Sequence, residues 1–332
     1  MTLAGLLTLT VAGGASAQRG HGPGADLSAL AGKRILLAND DSVQAAGDDG
    51  KDGRGLFVLR KALCEAKADV VVVGPWAQQG GRGRSTAASP HVTVAPPTAT
   101  PAQYVKDCST APSGGLVVGV CQGASTCTPA SSSVTPADAV EVALGAFLPQ
   151  RVGWSGGPDL VLTGVNPGAN TDLAANLSGT VGAATAAVEK GLPAVAVSAG
   201  TRATSVPSDD TYRTAAVFAA KVAARLFSRK AAGKLVQHRL LLNINCPDVA
   251  HGTTPSPRWT RLGRVQLDRF AYTAAGTDTY RLTFGPAEPA PSLDPRSDTA
   301  ALVNGHISVG AITADRDATG DLAWLRSAAL AD

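Results

Sequence analysis

Two neighbouring carboxylates at the end of a short apolar run are the first residues in the chain with chemical potential. Ile35-Leu36-Leu37-Ala38 is followed at once by Asn39, Asp40 and Asp41. Adjacent ionised carboxylates repel each other unless a cation or a proton compensates, so the pair suits a divalent metal. The competing reading is a solvated turn in which Asp40 caps the next helix. A second candidate is the glycine loop Gly80-Gly81-Arg82-Gly83-Arg84-Ser85-Thr86. It can carry a hydroxyl and a guanidinium to a phosphate oxygen, or serve as a surface loop. The third is Asn166 in Thr163–Asn170, after Asp159-Leu160-Val161-Leu162. Its amide oxygen can meet a hard cation, and Asn and Gly equally suit a turn at positive φ. The fourth is Ser178-Gly179-Thr180, opening a helix-like run toward Lys190. Free amides and hydroxyls there make an anion site, with N-capping by Ser178 as the alternative.

Each of these places gains weight from the element before it, because ligands of open α/β sheets gather at the carboxyl ends of the strands. Apolar runs at Arg34–Ala38, Asp69–Gly74, Asp159–Thr163, Pro193–Ser198 and Arg239–Asn243 read as strands. Leu56–Ala66, Pro136–Leu148, Gly179–Lys190 and Asp210–Phe227 read as helices. The alternation predicts a three-layer, Rossmann-like α/β fold with a mostly parallel sheet covered on both faces. Residues 33–255 form the expected core. Thr86–Val134, rich in Ser, Thr, Pro and Gly, is an expected insertion. Trp259–Pro289 reads as antiparallel strands, making 256–332 a smaller appendage with a C-terminal segment.

Composition limits the partners. The net charge is +3 and no Lys/Arg run is long enough to track a phosphate backbone, which argues against polymeric nucleic acid. Leu3–Ala12 is apolar and Ala15-Ser16-Ala17 has a small-x-small form, so residues 1–17 read as a signal peptide, although no Lys or Arg precedes the apolar run. A buried N-terminal helix is the other reading. Export predicts a secreted or extracytoplasmic product with no membrane association after cleavage, because no other stretch reaches the roughly 20 apolar residues of a span. Residues 18–32 are expected to be a disordered tail. Five cysteines leave at least one thiol unpaired within the chain. Cys64 and Cys246 lie in apolar patterns and are expected to be buried. A bridge within the trio Cys108, Cys121 and Cys127 would staple the insertion, with the pairing open.

Several segments resemble the SurE family of survival-protein nucleotidases and acid phosphatases. RILLANDD at Arg34–Asp41 resembles its first strand and Asp pair. Thr135-Pro136-Ala137-Asp138 resembles its TPAD segment, and TGVNPGAN its SGxNxGxN segment. Ser178–Ser198 is similar to its SGTV helix and next strand, Leu242–Pro247 to its LNINxP element, and Asp298–Val309 to its TDxxAxxxGYVSITP element. The blocks run in family order from about Arg34 to Ile312.

The resemblance implies a divalent metal held by Asp40, Asp41, Asn166 and a loop serine, read as Ser85 with Ser89 as the alternative. An all-oxygen donor set favours Mg²⁺ or Mn²⁺ over zinc. Asp40 and Asp41 are then the catalytic pair, and Asn39, Ser178, Gly179 and Thr180 are expected to hold the phosphate oxygens. The substrate would be a small phosphate monoester, a nucleoside monophosphate in the first instance, and the assembly a homodimer or tetramer. A non-catalytic secreted nucleotide- or phosphate-binding protein is the rival. His91 and His306 are the available general acids, neither placed by its surroundings. Two departures stand out. Ser42 occupies the position where the family usually has Gly, and Asp48-Asp49-Gly50-Lys51-Asp52-Gly53 is an added acidic loop that binds Ca²⁺ or is simply solvated.

Overall fold

In the computed structural model, residues 26–45, 52–201 and 206–315 are described. The expected signal peptide, residues 18–25 of the expected tail and residues 48–51 of the acidic loop lie outside them.

The elements in chain order are β1 (Arg34–Ala38), α1 (Arg54–Glu65), β2 (Asp69–Pro75), β3 (Val92–Ala95), β4 (Val117–Gln122), α2 (Pro136–Val142), β5 (Leu160–Pro167), α3 (Gly179–Glu189), β6 (Ala194–Ala199), α4 (Asp209–Ser228), α5 (Ala232–Gln237), β7 (Leu240–Cys246), β8 (Pro257–Thr260), β9 (Asp268–Ala274), β10 (Tyr280–Pro286), α6 (Asp298–Val303) and β11 (Ile307–Thr313). Nine strands form one sheet in the order β3-β4-β2-β1-β5-β6-β7-β11-β8. The six from β4 to β7 are mutually parallel, whereas β3 and β11 pair antiparallel to their inner neighbours.

Alternation along the strands divides the core into two layers. Ile35, Leu37, Val70, Val72, Leu160 and Leu162 face a cluster shared with α1, α4 and α5. Leu36, Val71, Val73 and Val161 face the other, shared with α2 and α3. Each buried Leu or Val contributes about 1.5–3 kcal/mol, so near-continuous apolar strands enforce a sheet covered on both sides. In α4, Ala215, Ala219 and Ala223 recur every four residues with Ala216, Ala220 and Ala224 beside them, and all six are buried. This small-residue face lets the helix lie close to the sheet, and Ser208 caps its start by accepting from the Thr211 amide. The run expected to end at Leu148 continues to Val152 as a wider π-type helix that contains Pro149.

Four sequence expectations need correction. The last part of the presumed tail is ordered: Leu27–Leu30 forms a 3₁₀ turn and Leu30 is fully buried, because it packs under the α4 face. The insertion is not only an excursion, since β4 adds to β2 and β3 to β4, extending the main sheet. Nor does a boundary fall at residue 256. Strands β8 and β11 return to the main sheet, and among the described residues the expected antiparallel appendage is the separate β9–β10 hairpin. Cys121 pairs with Cys127 within the trio and Cys246 is free and buried, both as expected, but Cys64 is only half-buried and is bridged to Cys108.

Candidate active site

The chain leaves β1 for β2 on one side and later returns with β5 on the other, so a topological switch point lies between β1 and β5. The two strands are parallel and pair Ala38 with Thr163. Residues 39–41 and 164–166 therefore emerge side by side at the same rim. Asp40 and Asp41 are 4% and 3% exposed there.

Helix α3 is fastened directly to this turn. Thr180 donates its hydroxyl to Asp40 Oδ1 at 2.7 Å. A Cβ at Gly179 would stand 2.9 Å from Asp40 Oδ2, so the helix start approaches the carboxylate as closely as it does only because glycine is present. Ser178 accepts from the Val181 amide at 3.1 Å, so its hydroxyl is the N-cap. The hydroxyls expected to meet a phosphate thus bind Asp40 and the helix itself. The amides of Gly179 and Thr180, at the first two helical positions, have no intrahelical acceptor and remain suited to an anion.

Asn39 is held by the turn that follows it. Its Nδ2 donates to Ser42 O at 2.9 Å, and its buried Oδ1 makes no hydrogen bond, lying 3.2 Å from where a Cβ at Gly74 would stand. It is a turn-holding residue packed toward β2. Ser42, which that bond fixes, has φ 125°, a conformation that favours glycine.

Asn166 donates Nδ2 to Gly168 O at 2.8 Å, which leaves the carbonyl Oδ1 as the group for a cation. Ser85 is exposed on the glycine loop, and its hydroxyl makes no hydrogen bond with a described residue. Ser89 instead spends its hydroxyl on His91 O at 2.6 Å. The loop is held at three points. Gly83 N donates to Leu177 O at 2.9 Å, Thr135 Oγ1 to Ser85 O at 2.7 Å, and Ala87 N to Asp138 Oδ2 at 2.6 Å. A Cβ at Gly182 would collide with Gly83 O, so loop and helix need glycine where they touch. Arg84 is bound to Glu141 at 2.7 Å and to Glu189 at 2.8 Å.

Three features escaped the sequence reading. Thr135 and Asp138 are readable as a capping box for α2, but their grip on Ser85 and Ala87 is tertiary. Tyr212 of α4 is buried, with Arg54 over its ring at 5.5 Å; burial first and the charge of Asp41 second push its phenol above the usual range. It therefore stands within electrostatic reach of the carboxylate pair, and nothing local in α4 signals this. Asn170 holds a buried amide network with Asn245 at 2.7 Å, Ser198 at 2.9 Å and Asn243 at 2.8 Å, which ties the segment after β5 to β6 and β7. His91 precedes edge strand β3 and His306 precedes β11, three and four strands from β1; His306 bonds Ser256 at 3.0 Å.

The donor set is oxygen throughout: two carboxylates, a hydroxyl and an amide carbonyl, which fits a hard divalent cation. A buried carboxylate pair beside a helix N-terminus, at the switch point of a doubly wound sheet, defines a Rossmann-like α/β protein. The sequence profile of the survival protein SurE matches residues 35–269, and the chain belongs to that family. It is 33% identical to the 5'-nucleotidase SurE of Desulfovibrio desulfuricans over 83% of this chain and 90% of the relative. It is 30% identical to the 5'-nucleotidase SurE of Histophilus somni over 86% of this chain and 94% of the relative. The crystal structure of the SurE protein from Aquifex aeolicus shares the fold with a TM-score of 0.61 at 23% identity, covering 85% of this chain and 94% of that one.

Proposed function

We propose that this protein is a metal-dependent phosphatase that hydrolyses small phosphate monoesters, nucleoside monophosphates among them. The observation that carries the reading is the Thr180–Asp40 hydrogen bond of 2.7 Å, which fastens a buried carboxylate pair to a helix N-terminus. Asp40, Asp41, Asn166 and Ser85 hold Mg²⁺ or Mn²⁺ in this reading. A cation held there would supply polarisation of a phosphate oxygen and acidification of the attacking water. The chain's own part is positioning and charge. The Gly179 and Thr180 amides hold non-bridging oxygens and stabilise the charge that grows on them in the transition state. Thr180 keeps Asp40 in one orientation, and the Thr135–Ser85 and Asp138–Ala87 contacts keep the loop against α3. The names of the nucleotidase relatives support the substrate class.

Export to an oxidising compartment belongs to the same proposal, supported by the N-terminal pattern and by two disulfides in the folded chain. Self-association is supported by the hairpin β9–β10, which leaves Tyr272, Tyr280 and Leu282 exposed.

Purified protein is expected to release phosphate from p-nitrophenyl phosphate and from nucleoside monophosphates only with added Mg²⁺ or Mn²⁺. Asp41→Asn is expected to abolish release while the circular dichroism spectrum is retained. Tight phosphate binding without release would favour the non-catalytic binding protein instead.

A further inference from the structure

Beside Ser85 lies a cavity of about 300 Å³ whose walls come from two parts of the chain. Gln79, Arg82 and Ser85 belong to the segment after β2, and Gln122, Ser132 and Ser133 to the segment around and after β4. Its wall is tied to the carboxylate turn at one point, where Gln79 N donates to Asp40 O at 2.7 Å. The far wall is built rather than loose. Cys121, bridged to Cys127, pairs with Ser133, Gln122 Nε2 donates to Ser133 O at 2.6 Å, and the Ala77 amide donates to Ser133 Oγ at 3.2 Å. Every lining side chain is an amide, a hydroxyl, a methyl or a guanidinium, and none is aromatic. A flat base would find no ring to stack on. Arg82 makes no ion pair with a described residue, whereas Arg84, two residues on, is saturated by Glu141 and Glu189.

We propose that this cavity is the leaving-group subsite of the phosphatase, and that Arg82 selects esters whose alcohol carries a second anion, a carboxylate or another phosphate. The inference rests on the reading of Ser85 and the Asp pair as the phosphate-binding centre. A guanidinium forks onto either anion, and a polar wall of amides and hydroxyls suits a hydroxylated alcohol. The segment around and after β4 thereby serves specificity, since Gln122, Ser132 and Ser133 supply the wall across from Arg82.

The test compares 3-phosphoglycerate with glycerol 3-phosphate, which differ by a carboxylate in place of a hydroxymethyl, and fructose 1,6-bisphosphate with fructose 6-phosphate. With saturating Mn²⁺, kcat/KM is expected to be about tenfold higher for the member of at least one pair whose alcohol carries the second anionic group, as a charged hydrogen bond implies. The pair with the larger ratio identifies the anion. Arg82→Ala is expected to bring that ratio near one, mainly through KM, and Arg82→Lys to restore part of it. Ratios near one in the parent, or a ratio that Arg82→Ala leaves unchanged, overturn the subsite. p-Nitrophenyl phosphate separates the two readings: no turnover of it with any metal refutes the phosphatase. In that case calorimetric binding of the same ligands still measures the ratio, and equal affinities overturn the subsite by themselves.

Discussion

Thr180, at the second position of α3, donates its hydroxyl to Oδ1 of Asp40, a residue 140 positions earlier in the chain, and both are buried. The bond couples the turn after β1 to the start of α3, whose first amides are proposed to meet the phosphate. Thr180→Val keeps the shape of the side chain and removes the donor. It is expected to cost about 1–3 kcal/mol in urea denaturation, the range for a buried polar group that loses its partner. The Mn²⁺ concentration for half-maximal phosphate release is expected to rise with it, and Thr180→Ser to restore both. A Val variant as stable and as metal-tight as the parent would refute the coupling.

Ser42 sits at φ 125°, where a Cβ is strained and glycine is not. Its hydroxyl gives something back by accepting from the Gln44 amide at 3.2 Å. The strain of such a position is of order 1–3 kcal/mol, larger than the entropy glycine costs in the unfolded chain. Ser42→Gly is therefore expected to raise the melting temperature by a few degrees with the turn intact. Scanning calorimetry decides it, and a lowered transition means that the serine hydroxyl outweighs the strain.

What could be read in the chain beforehand follows from the range of the interactions involved. The end of β1 was legible because four apolar residues stop at Asn39 and the parallel sheet places such a point at its rim. Helix α3 was legible for the same reason, as a local pattern with a capping serine. The role of Arg84 was not, because its partners Glu141 and Glu189 lie on two helices that meet only when α2 packs on α3. The Cys64–Cys108 pairing was equally hidden. Arg60 of α1 donates to the carbonyls of Tyr104 at 2.9 Å and of Asp107 and Gly115 at 2.6 Å, drawing the insertion onto the helix that carries Cys64. The bond from Asn39 to Ser42 O was not legible either, because a polar residue at a strand end can face the ligand or the turn.

The two bridges close loops of different length, with sequence separations of 44 and 6. Loop-closure entropy then assigns about 4 kcal/mol to Cys64–Cys108 and about 2 kcal/mol to Cys121–Cys127 as upper values. Replacing the first pair by serine is expected to lower denaturation midpoints more than replacing the second. Cys246 is buried, and burial, followed by the charge of Asp248, pushes its thiol up to about 12. Ellman titration at pH 8 is expected to find no reactive thiol in the native protein, one after denaturation without reductant, and five after reduction. Three or more thiols before reduction would contradict the pairing.

Asp298 and Asp172 form a buried carboxylate pair where α6 meets the segment after β5, outside the proposed catalytic site. Asp298 Oδ1 accepts from the amides of Gly263 and Thr299 at 3.0 Å, and the Asp172 amide lies 3.2 Å from Oδ2. Thr299 donates its hydroxyl to Asp172. Burial raises the Asp298 pKa, the three amides oppose the shift, and the charge of Asp172 adds to it. A carboxyl with a folded pKa above its unfolded one holds its proton more tightly in the native state. Between those two values the native state binds more protons, so this group's contribution to stability falls as pH rises through the interval above 3.8. Below both values its contribution is fully present. Asp298→Asn keeps an oxygen for the amides and removes the titration. Its stability, measured by urea denaturation from pH 3 to pH 8, is expected to decline less than the parent's across that interval. Parallel profiles for the two proteins would show that Asp298 titrates alike in the folded and unfolded chains.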